Sequence, residues 1–187
     1  MKHKQFDREN LSCAFTGHRP HKFPWHYDEA DSRCVALKAA LAAQITALTE
    51  TGVTDFYSGG ADGVDCWAAL IVLELRKKNP ALSLHLILPH EGQADKWSDS
   101  AQERYHSILG QADSVDYVSR KYYDGCMLDR NRRLVDSADL LLAVYNGERR
   151  GGTAATVRYA RKLGRKIIIL DPTSLNVTET EAHDERL

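Results

Sequence analysis

Six short apolar runs, rich in β-branched or aromatic residues, alternate with longer amphipathic segments at roughly 11–16, 54–58, 83–89, 115–119, 139–145 and 166–170. Runs of that kind are buried on both faces, and amphipathic stretches between them act as crossovers. The pattern therefore predicts parallel strands joined by helices. Segment 29–51 sets Val35, Leu37, Leu41, Ile45 and Leu48 on one stripe and stops at Gly52, where a helix cap is expected. A second helix over 63–79 carries Ala68, Leu70, Ile71, Leu73 and Leu75 and ends before Asn79-Pro80. Segments 95–110, 127–138 and 154–163 are the remaining helices.

The fold class that follows is α/β: a three-layer, Rossmann-like domain with a mostly parallel sheet of about six strands. No linker or repeat divides the chain, so one domain is expected over 1–187, with its core at about 11–172 and a polar, flexible tail at 176–187. Twenty-five Lys and Arg stand against 26 Asp and Glu, a net charge of -1. Such a balance gives no global attraction for a polyanion, so nucleic acid is expected to be an unlikely partner. Cys13, Cys34, Cys66 and Cys126 are widely separated and form no CxxC pair, as in a protein that keeps its thiols reduced. His18, His21 and His26 lack regular spacing and a carboxylate or Cys partner, so no metal is expected. The apolar runs are too short to cross a bilayer, and the start reads as polar; a cytoplasmic location and no membrane partner are expected.

In open α/β sheets, ligands sit beyond the carboxyl ends of the strands. The loop after the first run reads Thr16-Gly17-His18-Arg19-Pro20. There Gly17 admits close approach of a ligand, His18 and Arg19 supply donors, and Trp25 offers a ring face. The second loop, Ser58-Gly59-Gly60-Ala61-Asp62-Gly63-Val64-Asp65, places three glycines at a strand-to-helix junction. Backbone N–H groups freed there, next to a helix N-terminus, can hold an anion. Asp62 and Asp65 would repel a bare phosphate and suit a ribose hydroxyl better. The sequence is neither the G-x-G-x-x-G fingerprint nor a Walker A loop.

Beyond the third run, Glu91 is the best available acid or base and Gln93 a further ligand contact. Arg130 and Arg133 share a helical face, and Arg130 with Asn131 is a candidate phosphate contact. The fifth loop brings Gly151, Gly152 and Thr153 to the start of another helix, a second anion cradle.

These residues together resemble the SLOG superfamily, which joins the DNA-processing protein DprA (Smf) to the LOG nucleotide-processing enzymes, and within it the YpsA-like branch. The segment 58–65 resembles the first DprA glycine motif, and Gly152-Thr153-Ala154-Ala155-Thr156 with Ala160 and Gly164-Arg165 the second. The resemblance implies a Rossmann-like fold binding a nucleotide or nucleotide-derived ligand between the two loops. LOG enzymes read P-G-G-x-G-T-x-x-E at the second loop, with the glutamate implicated in catalysis; here Arg158 stands at that glutamate. Arginine does not exchange a proton near neutral pH, so that reaction is not carried over.

The expected function is a sensor of an NAD- or ADP-ribose-like ligand that requires no cofactor, with a second copy of the chain as a possible partner. The alternatives are a nucleotide hydrolase, N-glycosidic or phosphoester, and a single-stranded nucleic-acid or protein interaction module.

Overall fold

The computed structural model describes residues 11–180. β1 (Leu11–Gly17) leads through a 3-10 turn at Pro20–Lys22 into α1 (Ser32–Glu50). Then come β2 (Val53–Ser58), α2 (Val64–Arg76), β3 (Ser83–Leu88), α3 (Asp99–Gln111) and β4 (Ser114–Tyr117). The second half adds α4 (Cys126–Ser137), β5 (Leu140–Val144), α5 (Gly152–Lys162), β6 (Lys166–Leu170) and β7 (Val177–Thr180). The strands form one seven-stranded sheet in the order β4-β3-β2-β1-β5-β6-β7. All pairs are parallel except β6 with β7.

Both faces of the central strands are buried, which is why their sequences read as continuous apolar runs. In β1, Cys13 and Phe15 join the core on the α1–α2–α3 side while Ala14 points to the α4–α5 side. Phe15 stacks on Phe56 of β2 at 5.7 Å between centroids, and each such ring contributes about 2 kcal/mol by leaving water. The stripe of α1 is Cys34, Leu37, Leu41, Ile45 and Leu48, whereas Val35 is 54% exposed, one position round the helix. Asp31 caps α1 by accepting from the Arg33 N–H at 2.8 Å.

Two expectations are corrected. The stretch 176–187 is not all tail, since Val177–Thr180 pairs antiparallel with β6; residues 181–187 lie outside the described ones. The helix expected over 154–163 starts at Gly152, with Gly151 as its cap residue. Among the described residues, no helix is long and apolar enough to cross a membrane.

The strand order reverses between β1 and β5: β2, β3 and β4 lie to one side, β6 and β7 to the other. The chain returns from the β4 edge to β5 through α4, which packs under the sheet and carries residues 126–137 past β1 and β2. That crossing puts Arg130 beneath the reversal point, where the loops after β1 and β5 separate.

Candidate functional site: an arginine-floored cleft at the strand reversal

A cleft of about 200 Å³ opens at the carboxyl ends of β1 and β5. The loop after β1 contributes Gly17, His18 and Arg19, with His21 and Lys22 from the following 3-10 turn. From below come Asp65 of α2 and Met127, Arg130 and Asn131 of α4; the far wall is Glu148, Arg150, Gly151, Gly152 and Thr153. The sequence motifs from three separate loops and one crossover helix thus converge.

Arg130 is 4% exposed. Its guanidinium donates to the Gly59 carbonyl and lies 3.5 Å from Asp65 Oδ2, while its Nε has no hydrogen-bond partner among the described residues. Burial pushes the Asp65 carboxyl above its ordinary value, against the pull of Arg130 and the Ala61 N–H. Burial likewise lowers the Arg130 guanidinium, with Asp65 opposing, but a guanidinium stays protonated at neutral pH. The guanidinium is therefore a deeply placed cation at the cleft floor, its charge offset in part by Asp65. Arg19 is half-buried, and its hydrogen-bond contact among the described residues is Met127 Sδ at 3.9 Å. Its donors are thus largely uncommitted.

α5 starts at the cleft with no side-chain cap. Gly151 holds φ at 106°, the left-handed region, and with Gly152 and Thr153 brings the first turn of the helix to the cleft wall. Asn131 lies alongside: its Nδ2 would be 3.6 Å from a Cβ at Gly152. His18 is 8% exposed and its Nε2 meets Asn146 Oδ1 at 3.3 Å, tying the loop after β1 to the loop after β5. Burial lowers the His18 imidazole below its ordinary value.

The first glycine loop is arranged otherwise than the sequence reading expects. Ser58, Gly59 and Gly60 are buried beneath the site, and of the segment 58–65 only Ala61 and Asp65 line the cleft. Ser58 Oγ donates to the Asp65 carbonyl at 2.9 Å and accepts from the Gly60 N–H at 3.1 Å. Gln93 Nε2 donates to the Gly59 and Gly60 carbonyls, both at 3.3 Å. The loop's small residues make room for these groups: a Cβ on Gly59 would lie 1.8 Å from an Arg130 nitrogen. Gly63 has φ +94° and would place a Cβ 2.9 Å from the His18 carbonyl, so it fastens α2 to the loop after β1. Asp62 accepts from the Gly63 N–H at 3.0 Å and lies outside the cleft.

Glu91 is exposed and lines neither this cleft nor the neighbouring groove, which contains Gln93. Trp25, expected to offer a ring to a ligand, is 7% exposed and stacked on Phe23 at 4.8 Å. Arg158 is exposed and donates to the Arg149 carbonyl at 2.8 Å. Lys22, Met127 and Arg150 are cleft residues that the sequence reading passed over. Lys22 and Arg150 lie on the two loops already singled out, and their only signal was charge, which usually means a solvated surface.

Residues 13–172 match the YspA SLOG family (YpsA). The chain belongs to that family. The UPF0398 protein BH1768 of Halalkalibacterium halodurans is 34% identical over 128 residues, 67% of this chain and 68% of that one. A UPF0398 protein of Bacillus thuringiensis is 32% identical over 154 residues, covering 81% of this chain and 83% of its own length. Among solved structures, DNA processing protein A of Helicobacter pylori superposes with a TM-score of 0.61 at 19% identity. The match covers 87% of this chain, which spans 66% of that protein's length. The SLOG expectation and the Rossmann-like fold class thus hold.

One expectation is overturned. Nucleic acid was read as an unlikely partner from the balanced charge, yet the H. pylori neighbour, which shares this fold, has a single-stranded DNA binding mode. A net charge of -1 averages over the whole surface. It says nothing of Arg19, Lys22, Arg130 and Arg150 gathered at one cleft.

Proposed function

We propose that the cleft binds the phosphate of a nucleotide unit, and that the unit belongs to a single-stranded nucleic acid. The observation that carries this is the convergence of Arg19, Lys22, Arg130 and Arg150 on one cleft, beside the uncapped start of α5. The helix start adds its positive dipole end and free backbone amides at the cleft wall. Arg19, Lys22 and Arg150 at the rim extend the positive field along a chain of phosphates.

The test is fluorescence anisotropy of a labelled single-stranded oligonucleotide against the protein and its Arg19→Ala variant. Loss of one charge-assisted contact predicts an affinity about tenfold to a hundredfold lower. Equal affinity for both proteins, or no binding by either, removes the proposal.

A second reading, a free NAD- or ADP-ribose-like ligand held by a sensor, would use the same cluster of cleft cations. It is separated from the first by competition. A free dinucleotide that displaces the labelled strand at low concentration, while longer strands gain nothing, supports the sensor. Hydrolysis has less to recommend it: the carboxylates at the cleft are Asp65, facing Arg130, and Glu148, 3.7 Å from Lys22.

A further inference from the structure

Beside the cleft lies a larger groove of about 670 Å³, and Arg19 lines both. Its walls are the loops leaving β3 and β4, which carry Lys96 and Trp97 on one side and Arg120, Lys121 and Tyr122 on the other. The loops are tied to each other. The Ser119 N–H donates to the Pro89 carbonyl at 3.2 Å, and the Glu91 N–H to the Arg120 carbonyl at 3.4 Å. Arg19, Lys96, Arg120 and Lys121 face a single lining carboxylate, Asp95. Within this ring of cations Tyr122 is 63% exposed. Its orientation is nevertheless fixed: the hydroxyl donates to Asp124 Oδ1 at 3.0 Å and the His90 ring meets it edge-on at 5.6 Å. An oriented but uncovered ring among cations is the combination that takes bases by stacking and phosphates by charge.

We propose that this groove is a second nucleotide subsite. A strand whose phosphate sits over Arg130 continues past Arg19. Its neighbouring nucleotide lays its base on Tyr122, and Arg120 and Lys121 meet the phosphate. The inference rests on the nucleic-acid reading of the first cleft and adds that the protein reads more than one nucleotide.

The experiment compares a mononucleotide, by calorimetry, with a labelled single-stranded hexanucleotide, by anisotropy, on the full chain. The hexanucleotide binds more tightly than the mononucleotide. Tyr122→Ala weakens the hexanucleotide about tenfold and leaves the mononucleotide unchanged, and Tyr122→Phe restores the loss because stacking needs the ring alone. The double variant Arg120→Ala, Lys121→Ala flattens the salt dependence of hexanucleotide binding by about two phosphates' worth. If Arg19→Ala abolishes strand binding while the Tyr122 and Arg120/Lys121 variants bind as wild type, the second subsite falls and the first cleft stands. If no strand binds, both fall together.

Discussion

The Arg130 guanidinium sits 3.5 Å from Asp65 Oδ2 with both side chains over nine-tenths buried. Neither charge is adequately solvated by water, so each depends on the other. Arg130→Met leaves the Asp65 carboxylate alone in the interior, and chemical denaturation is expected to show a loss of about 3 kcal/mol near neutral pH. The double variant Arg130→Met, Asp65→Asn removes the stranded charge and recovers much of that stability, but not ligand binding. Equal stability of the single and double variants would show that the pair is not coupled.

Gly59→Ala forces a methyl group into the space of the Arg130 side chain, 1.8 Å from its nitrogen. The buried guanidinium has no room to retreat without losing the Gly59 carbonyl. A destabilisation of about 1–3 kcal/mol follows, together with weaker anion binding, read by thermal unfolding with and without an oligonucleotide. A fully stable variant with intact binding would mean that the Arg130 guanidinium does not lie against Gly59.

Arg150→Ala tests the rim. Arg150 is exposed and its role is electrostatic. Stability stays within about 0.5 kcal/mol, while strand affinity drops a few-fold and its salt dependence becomes shallower by about one phosphate. An unchanged salt slope would place Arg150 off the path.

Glu29 provides the pH-dependent contact. It accepts from Trp67 Nε1 at 3.0 Å and from Arg104 and Lys38, pinning the end of the loop that carries Arg19 and Lys22. Burial pushes its carboxyl up, but the three donors outweigh that and hold it at about 2, against 4.5 for a free side chain. Because the folded value is the lower one, the stabilisation is complete above 4.5 and disappears as pH falls toward 2. With 31% of the side chain in solvent, about 2 kcal/mol is at stake. Urea unfolding above and within that window should show the decline in wild type and its absence in Glu29→Gln. A parallel decline in both would assign it to other carboxylates.

Truncation after Asn176 removes β7 and bares the backbone of β6. Exposed strand edges pair with other chains, so the shortened protein is expected to aggregate on warming, as light scattering would report. A truncated chain as soluble as the full one would show that β7 is dispensable.

Much of this architecture was legible in the sequence, because a strand buried on both faces must be apolar throughout. Leu140–Val144 is the clearest case, all five residues buried. β7 was not legible for the opposite reason: Val177–Thr180 is mostly exposed and polar in composition, so no apolar run marks it, and it is fixed by its antiparallel pairing with β6. The start of α5 was missed by two residues because Gly152 reads as loop until its amide is seen at a helix start. At the site, the residue types of the loops after β1 and β5 and of Arg130 were readable. The orientation of Ser58-Gly59-Gly60 was not. Glycines that receive an anion and glycines that make space for a buried arginine look alike in a sequence, and only the packing of α4 decides between them.

The early commitment of Arg130 has a kinetic side. A side chain locked in place by a carbonyl and a carboxylate loses its freedom during folding, before any ligand arrives. Capture of an anion then demands no rearrangement at the floor of the site. Above that floor, the mostly exposed segment 146–151 carries Arg150 in the cleft wall. Under the proposed function, an anion would thus meet a floor already set by folding and a wall that is open to solvent.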